Sequence, residues 1–412
     1  MLDPKFVLEN LEEIKKTIKE RGMKVDVANV PALAKARSEI RSRVEELRAE
    51  RNQLSRKPSA EVIKRATDIK AELKNLEPQL KNLEEQLEKI LRQIPNLIHP
   101  KTPRGFKEED NKILRADKPP KPKFKPLDHE QLAKKLDLVD FDAGARVAGS
   151  KFYYLKNEAV LLEFALIKYA FDLLLKEDFT PFVTPDLARE EIIDGVGFVP
   201  RGPESNIYNV EGEDLGLIGT AEITLGGYQA GQILEEKSLP LKYAGFSHCF
   251  RRESGSYGQF SKGLYRVHQF SKVEMFIFCR PQDSERLHEY LLGLEEKIFR
   301  GLKLPYRVVD IRASDLGASA YRKFDLESWM PGRGEWGEVT STSNTTDYQA
   351  RRLNIKYRKG DGTTEFVHTL NGTAVATSRA LVSILENYQQ EDGLIEVPKV
   401  LVPYVGKNII RR

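Results

Sequence analysis

An unbroken apolar repeat between residues 62 and 94 limits the fold of this chain more than any other feature of the sequence. Its steps alternate between four and three residues, through Val62, Ala66, Ile69, Leu73, Leu76, Leu80, Leu83, Leu87, Ile90 and Ile94. That spacing keeps one apolar stripe on a helix and is typical of a left-handed coiled coil. A second stripe, formed by Leu33, Ile40, Leu47 and Leu54, recurs every seven residues. The two stripes predict two long helices that pack against each other.

A helix-breaking segment separates the two stripes. Lys57-Pro58-Ser59 interrupts the first helix, and Ser59 is suited to cap the second. A short turn between long helices predicts an antiparallel hairpin over about residues 30 to 98, and its first helix would be roughly 40 Å long. Pro78 lies off the apolar stripe, and we expect it to kink the second helix.

The half of the hairpin nearest its turn is basic. Its cations are Arg48, Arg51, Arg56, Lys57, Lys64, Arg65, Lys70 and Lys74, and its acids are Glu50, Glu61, Asp68 and Glu72. The excess of four positive charges (eight minus four) has two explanations. It can be a solvated helix face with ion pairs, or a surface that contacts a phosphate backbone. The spacing alone does not distinguish the two.

A segment rich in proline and lysine follows the hairpin. Its prolines are Pro100, Pro103, Pro119, Pro120, Pro122 and Pro126, and they predict an extended linker over residues 99–127. The remainder, residues 128–412, is typical of a globular domain. It contains a run that predicts a largely buried helix, with Leu161, Leu162, Phe164, Ala165, Ile167, Ala170 and Phe171, and strand-like runs at Lys272–Cys279, Tyr306–Ile311 and Phe366–Leu370. We therefore predict an N-terminal domain (1–98), a linker (99–127) and an α+β domain (128–412) on a mostly antiparallel sheet.

Composition excludes several classes of protein. The net charge of the 412 residues is only +4, so any contact with nucleic acid must come from local clusters. Two cysteines are too few for a disulfide scaffold or a four-cysteine zinc site. The sequence has no P-loop, no GxSxG or HExxH motif, and no apolar run that could span a membrane. Without a recognisable signal or transit peptide, we expect a soluble protein in the reducing cytoplasm.

Charged residues in the predicted α+β domain are candidates for ligand contacts. Arg251 can hold a phosphate through two hydrogen bonds, and Glu253 can accept one from an exocyclic amine, but on its own such a pair is more often part of an ordinary salt-bridged hairpin. Phe270 can stack on a base or belong to the core. Glu274 lies in an apolar strand and therefore needs a partner, either a substrate ammonium or an internal Arg or Lys.

Three further segments place hydroxyl or amide groups beside charges. Thr220 and Glu222 share one face if they lie on a strand, although Thr220 can instead cap a helix. The run Glu338–Asn344 offers carboxylate and hydroxyl oxygens that suit Mg²⁺ with phosphates, or it is an ordinary loop. Arg379 follows Asn371–Ala374 near the start of a helix, where it needs an anion, either a phosphate or an internal carboxylate.

Taken in this order, the segments resemble the bacterial-type seryl-tRNA synthetases, a family of class II aminoacyl-tRNA synthetases. The resemblance covers essentially the whole chain. It rests on the basic hairpin and on Phe250–Glu253, Arg266–Phe270, Asp347–Arg352 and Asn371–Ala374. Phe179–Pro185 resembles the first class II motif, at a dimer interface, Arg251 and Glu253 match the second, and Gly372–Arg379 match the third. The resemblance implies a class II catalytic domain preceded by a tRNA-binding coiled-coil hairpin.

The resemblance also implies roles for individual residues. Arg251, Glu253 and Arg379 are expected to be catalytic. The expected ATP-binding residues are Arg251, Arg252, Glu253, Val267, Phe270, Glu338, Val339, Thr340, Ser341 and Arg379. Within that set, Phe270 and Arg379 are expected on opposite faces of the adenine. Glu338 and Ser341 are also expected to bind Mg²⁺ with the ATP phosphates. The expected serine-binding residues are Thr220, Ala221, Glu222, Arg251, Glu274, Asn371 and Thr373.

The implied function is that of a serine–tRNA ligase acting as a homodimer. It would form seryl-adenylate from L-serine and ATP and transfer serine to tRNA(Ser), and to tRNA(Sec) where that tRNA exists. Gln259–Lys262 stands where the family frequently has an Asp and Arg pair, in a loop that usually approaches the acceptor stem of the tRNA. Two alternatives are a non-catalytic, synthetase-like RNA-binding paralogue and a ligase that loads a carrier protein. The first predicts loss of the motif arginines or the serine-site carboxylates, and the second predicts loss of the long hairpin.

Overall fold

The computed structural model describes residues 1–54, 60–202, 205–253 and 263–412. The chain divides into two compact units, Met1–Leu97 and Ile98–Arg412. Three predictions fall outside the described residues: the Ser59 cap, the basic residues Arg56 and Lys57, and the segment Ser254–Lys262 with its departure from the family. No helix in the described ranges is both long and apolar enough to cross a membrane.

The first unit is helical. Its helices are α1 (Pro4–Glu9), α2 (Leu11–Glu20), α3 (Val30–Leu54) and α4 (Ala60–Gln93). Helices α3 and α4 are the two long helices that the apolar repeats predict. Their shared core consists of the buried residues Val44, Leu47, Ile69 and Leu73, with Ile40, Leu54, Leu76 and Leu80 packed against them. Helix α4 continues through Pro78.

Ion pairs between α3 and α4 show that the two helices are antiparallel. Glu50 pairs with Arg65 at 2.7 Å, Arg48 with Glu77 at 2.8 Å, and Arg41 with Glu84 at 2.9 Å. Earlier residues of α3 therefore lie beside later residues of α4, as the hairpin prediction requires.

The second unit combines helices with a large sheet. Its helices are α5 (His129–Lys135), α6 (Phe141–Ala148), α7 (Glu158–Leu175), α8 (Glu190–Gly195), α9 (Glu222–Gly227), α10 (Ser284–Gly301), α11 (Tyr348–Leu353), α12 (Thr377–Asn387) and α13 (Val402–Val405). Its strands are β1 (Lys112–Ala116), β2 (Val139–Asp140), β3 (Tyr154–Leu155), β4 (Thr180–Val183), β5 (Leu187–Arg189), β6 (Tyr208–Asn209), β7 (Leu215–Leu217), β8 (Ile233–Glu235), β9 (Leu241–Phe250), β10 (Gln269–Cys279), β11 (Tyr306–Asp310), β12 (Arg322–Met330), β13 (Glu335–Thr346), β14 (Lys356–Arg358), β15 (Thr364–Phe366), β16 (His368–Ala376), β17 (Ile395–Glu396) and β18 (Ile409–Ile410).

Eight strands form the main sheet, in the order β1-β11-β12-β13-β16-β10-β9-β4. All neighbours are antiparallel except β4 and β9, which are parallel. This arrangement confirms the predicted α+β class with a mostly antiparallel sheet. The small sheets β15-β14-β8, β5-β7-β6, β2-β3 and β17-β18 lie outside it.

The central strand β10 has a different core on each face. Val273, Met275 and Ile277 pack into a large core with residues of α7, α10 and α12. Phe276 and Phe278 point to the opposite face and pack with residues of α8, α9 and α11. Because side chains alternate along a strand, the even-numbered polar residues of β10 share the second face with these phenylalanines.

Two expectations differ from the structure. The segment 99–127 is not a linker throughout, because Lys112–Ala116 forms the edge strand β1, paired with β11. Helix α7 is not buried on all sides. Leu162, Ala165 and Leu166 are buried, but Leu161 is 40% exposed and Phe164 is 63% exposed. The apolar run of α7 therefore combines a core stripe with an exposed apolar surface.

Candidate active site

A cavity of about 530 Å³ lies on the polar face of the central strands. Alternate side chains of β10, namely Phe270, Lys272 and Glu274, form part of its wall. Neighbouring strands, the start of α9, the first turn of α12 and loop residues that include Gly197, Phe198 and Gly317 form the rest. Its volume is within the range of ordinary small-molecule sites.

The cavity brings together most of the residues predicted for the site. Those lining it are Thr220, Glu222, Arg251, Glu253, Val267, Phe270, Glu274, Glu338, Val339, Thr340, Ser341, Asn371, Thr373 and Arg379. Two predicted residues do not line it. Ala221 is fully buried in the apolar core behind α9, and Arg252 is exposed to solvent.

Arg251 follows the last residue of β9 and faces the aromatic ring of Phe270. The guanidinium carbon lies 5.3 Å from the ring centroid, and Nε donates a hydrogen bond to the Gly219 carbonyl at 3.1 Å. The backbone of Arg251 is held on both sides by His268, through hydrogen bonds of 2.9 Å. The cation is therefore fixed at the cavity wall with much of its hydrogen-bonding capacity unused by the contacts described here.

Glu253 has a positive φ of 49°, which is uncommon for a residue other than glycine. Its carboxylate forms an ion pair with Arg266 at 3.2 Å. Glu253 therefore forms a salt bridge, which is one of the two explanations that the sequence allowed. The same carboxylate also lines the cavity.

Glu274 has an internal cationic partner. Lys272, two residues earlier on the same strand face, forms a close ion pair with it, and both side chains are almost fully buried. The Thr373 hydroxyl also donates a hydrogen bond to Glu274 Oε2, at 3.2 Å. Of the two partners considered from the sequence, the internal lysine is therefore present.

Thr220 and Glu222 lie at a helix start and not on a strand. The Thr220 hydroxyl accepts a hydrogen bond from the Glu222 backbone N–H at 3.2 Å, which supports the capping interpretation. The Glu222 carboxylate accepts from the Asn371 amide at 3.0 Å and from the Gln349 amide at 2.7 Å. Burial, reinforced by the nearby charge of Glu274, raises the pKa of Glu222 to about 7.

A second cluster of charged residues lies around the start of α12. Arg379 pairs with Glu338 at 2.7 Å and lies over the ring of Tyr265, 5.1 Å from its centroid. Burial opposes ionisation of Glu338, but the positive charges of Arg379 and Lys323 hold its pKa at about 2. The anion that Arg379 needs beside a helix N-terminus is therefore an internal carboxylate here.

The run Glu338–Asn344 belongs to strand β13 and is not a loop. Ser341 lies opposite Asp325 of β12 in the strand register. Asp325 pairs with Lys323 at 3.2 Å, and burial raises the pKa of Asp325 to about 7 despite that partner. A hydrogen bond from the Ser341 hydroxyl favours the ionised form of Asp325 and offsets part of this rise.

The sequence analysis did not single out Lys272, Lys323, Asp325 or Gln349. Lys272 had a local signal, since it precedes Glu274 by two residues on one strand. Lys323 and Asp325 have the same spacing on β12, but no motif marked that strand as part of the site. Gln349 contacts Glu222 from 127 residues away, and no local pattern could reveal that contact.

Family models match both units of the chain. The model for the seryl-tRNA synthetase N-terminal domain matches residues 1–98. The model for the class II tRNA synthetase core domain (G, H, P, S and T) matches residues 207–388.

Comparisons over the full length agree with these matches. The chain is 56% identical to the serine–tRNA ligase of Dictyoglomus turgidum, covering 100% of this chain and 99% of the relative. It is 53% identical to that of Treponema denticola, covering 98% and 99%. Among solved structures, seryl-tRNA synthetase from Pyrococcus horikoshii complexed with ATP matches with a TM-score of 0.92 at 39% identity, covering 100% and 99%. Cytoplasmic serine–tRNA ligase from Naegleria fowleri in complex with AMP matches with a TM-score of 0.88 at 34% identity, with the same coverage. The chain belongs to the seryl-tRNA synthetase family of class II aminoacyl-tRNA ligases.

Proposed function

We propose that the cavity carries out both steps of the serine–tRNA ligase reaction. In the first step, the carboxylate of L-serine attacks the α-phosphorus of ATP, which gives seryl-adenylate and pyrophosphate. In the second, the terminal hydroxyl of tRNA(Ser) attacks the adenylate carbonyl and releases AMP. Neither step needs a protein nucleophile, because the serine carboxylate is the nucleophile in the first and the tRNA hydroxyl in the second. Positioning and charge neutralisation are sufficient for the attack on phosphorus.

The proposed ATP site lies between Arg251 and Arg379. Arg251 would contact the α-phosphate, and its exposure in the cavity next to Phe270 supports this role. Adenine would stack on Phe270, where it would displace the Arg251 guanidinium from the ring, and Arg379 would cover its other face near the γ-phosphate. Glu253 would accept a hydrogen bond from the exocyclic amine, and Val267 would add backbone contacts beside the base. Because Arg252 lies outside the cavity, it is the weakest of the proposed ATP contacts.

Glu338 and Ser341 are proposed to hold Mg²⁺ together with the ATP phosphates. Their carboxylate and hydroxyl oxygens are the hard ligands that this ion prefers. Asp325, which lies opposite Ser341 in the strand register, adds a third carboxylate or hydroxyl group beside the proposed ion. When bound, the ion would supply charge neutralisation for the phosphates. Val339 and Thr340 line the cavity between the two proposed ligands.

The proposed serine pocket is the end of the cavity formed by Glu222, Glu274, Asn371 and Thr373. Two buried carboxylates with amide and hydroxyl neighbours suit a small zwitterion that carries an ammonium and a hydroxyl. Arg251 would contact the serine carboxylate. Thr220 would contribute as the cap that fixes the Glu222 backbone, and Ala221 would contribute only through packing behind the site.

The single observation that carries the proposal is the convergence of Arg251, Arg379, Glu222 and Glu274 on one cavity. The test is ATP–pyrophosphate exchange with Mg²⁺, comparing serine, threonine, alanine and glycine. We expect exchange that depends on serine and is lost in Arg251→Met. Absence of exchange with every amino acid would instead favour the non-catalytic paralogue.

The α3–α4 hairpin is the proposed tRNA-binding surface. Several of its cations are already paired across the hairpin, including Arg43, Arg48 and Arg65. In the half of the hairpin nearest its turn, the described cations without an ion pair to a described residue are Arg51, Lys64, Lys70 and Lys74. These four support the phosphate-contact explanation, because an unpaired cation is available to a nucleic-acid backbone without breaking an internal bond.

Paired substitutions test this surface. We expect Lys70→Ala with Lys74→Ala to weaken binding of tRNA(Ser) and to lower its salt dependence, while serine-dependent exchange stays unchanged. The control is Lys35→Ala with Lys81→Ala, because these exposed lysines of the same helices are near acidic neighbours one turn away. Equal loss of tRNA binding in both pairs would contradict a localised surface. Comparing tRNA(Ser) with tRNA(Sec) in the same assay addresses the second tRNA.

A homodimer in the cytoplasm completes the proposal. The predicted first motif contains β4, an edge strand of the main sheet, and its Val183 is 81% exposed. Leu161 and Phe164 expose apolar surface on α7. Sedimentation of the wild type and of Val183→Asp tests this interface, and we expect the substitution to shift the protein towards monomer.

A further inference from the structure

Gln349 is fully buried and uses both ends of its side-chain amide. Its Nε2 donates hydrogen bonds to Glu222 Oε1 at 2.7 Å and to the Val196 carbonyl at 3.0 Å. Its Oε1 accepts a hydrogen bond from the Thr369 hydroxyl at 2.8 Å, and the Thr345 hydroxyl lies 3.3 Å from it. The amide thus joins α11 to residues of β13, β16 and α9.

The surrounding groups permit only one orientation of this amide. The Val196 carbonyl can only accept, so the NH₂ end must face it. When the single proton of the Thr345 hydroxyl is donated to the Thr369 carbonyl at 2.8 Å, the Thr369 hydroxyl donates its own to Gln349 Oε1. A flipped amide would place its oxygen against both the carbonyl and the Glu222 carboxylate. The hydrogen bonds therefore run in one direction, from the Thr369 hydroxyl through Gln349 to Glu222.

The carboxylate of Glu222 is held by only one of its two oxygens. Oε1 accepts from both Gln349 and Asn371, at 2.7 Å and 3.0 Å. Oε2 accepts no hydrogen bond from any part of the chain that the structure describes, and the Glu222 side chain lines the cavity. Two donors on one oxygen fix the rotation of the carboxylate, so the second oxygen is presented to a ligand.

We propose that Gln349 is a positioning residue for substrate selection, which holds Glu222 so that its Oε2 accepts a hydrogen bond from the hydroxyl of the amino-acid substrate. This inference rests on the proposed function of the cavity. A site built to bond a hydroxyl discriminates strongly against an analogue that lacks it. Gln349 itself lies outside the cavity lining and acts only through Glu222.

The charges around Glu222 make its ionisation sensitive to a single hydrogen bond. Burial and Glu274 disfavour the charged form, whereas Gln349, Lys272 and Arg251 favour it, and the resulting pKa is about 7. Loss of the Gln349 N–H donor raises that pKa further, because the bond stabilises the ionised carboxylate.

The test compares serine and alanine in ATP–pyrophosphate exchange with the full-length chain. In Gln349→Met we expect kcat/KM for serine to fall by about tenfold or more, the scale of a hydrogen bond to a charged group, with little change for alanine. The ratio of kcat/KM for serine to kcat/KM for alanine therefore falls. The matched control is Gln389→Met, because Gln389 is also buried and its amide is bonded to Leu127 and Glu386 away from the cavity. We expect the control to keep the wild-type ratio.

The pH profile separates positioning from a merely structural role. For serine, kcat/KM should rise with pH as Glu222 ionises, and the midpoint should move to higher pH in Gln349→Met. A merely structural role would lower kcat/KM equally for serine and alanine and would leave the midpoint of the pH profile unchanged. If Gln349→Met does not fold, Thr369→Val is the second variant, because it removes the hydroxyl that donates to Gln349 Oε1. We expect it to lower the ratio of kcat/KM for serine to kcat/KM for alanine as well.

The outcomes distinguish this inference from the proposed function. A wild-type chain that shows no serine-dependent exchange overturns the proposed function itself. A wild-type chain that is active with serine, together with unchanged ratios and midpoints in the folded Gln349 and Thr369 variants, overturns only the role of Gln349.

Discussion

The substitution Lys272→Met tests how strongly the buried ion pair of the serine pocket depends on its cation. The side chains of Lys272 and Glu274 are only 6% and 2% exposed. Methionine keeps most of the volume of lysine but removes its charge, and among the described residues the hydroxyl of Thr373 is then the remaining partner of the Glu274 carboxylate. Breaking a buried pair by removing one member costs about 3–5 kcal/mol, and the low exposure of both side chains places this pair in that range.

Urea unfolding followed by tryptophan fluorescence measures this cost in the second unit alone. Both tryptophans of the chain, Trp329 and Trp336, lie on β12 and β13, so the signal does not report on the helical hairpin. With a denaturant slope of about 3 kcal/mol per M, we expect the midpoint to fall by about 1 M or more.

A double variant completes the experiment. Lys272→Met with Glu274→Gln removes both charges and keeps an acceptor for Thr373, so it should recover at least half of the lost free energy of unfolding. A single variant whose midpoint stays within error of the wild type would refute the reasoning. A double variant as unstable as the single one would show that shape, and not charge, causes the loss.

Three further predictions concern other parts of the chain. The pKa of Glu222 is raised from 4.5 to about 7, so its contribution to stability is complete below about pH 4.5 and is lost as the pH rises through about 7. We therefore expect Glu222→Gln to gain stability relative to the wild type between about pH 5 and pH 8 in urea titrations, and a pH-independent difference would contradict this. Arg379→Met removes the partner of Glu338, and we expect the KM for ATP in the exchange assay to rise by about tenfold or more. An unchanged KM would contradict the proposed phosphate contact. Leu47→Ala empties a fully buried position of the hairpin and should cost about 2–5 kcal/mol in helix unfolding measured by circular dichroism. Loss of serine-dependent exchange in that variant would contradict the assignment of the cavity to the second unit.

The parts of the fold that depend on local periodicity were predictable. The heptad spacing predicted α3 and α4, because a stripe of apolar residues along one helix must be buried against a similar stripe on another. Strand β1 was missed because its five residues are all exposed and include Lys112 and Arg115, so it has no apolar alternation to distinguish it from a linker. Charges of this kind are common on edge strands.

The candidate site was predictable only in part. Arg251 and Glu253 lie in one short motif, and the cavity contains both. Residues that act through distant partners have no such signal: Lys323 and Asp325 belong to a strand that reaches the site only through sheet pairing. The partner of Glu274, by contrast, had a local signal, because Lys272 lies two residues earlier on the same strand.

The pairing of β1 with β11 has a consequence for synthesis of the chain on the ribosome. Lys112 lies opposite Asp310, 198 residues further along the sequence. At 5–20 residues per second, β1 waits about 10–40 s for its partner to be made. Helices α3 and α4, by contrast, are neighbours in sequence and can pair almost as soon as both have emerged. The exposed charges of β1 would keep this waiting edge from pairing with other nascent chains during that interval.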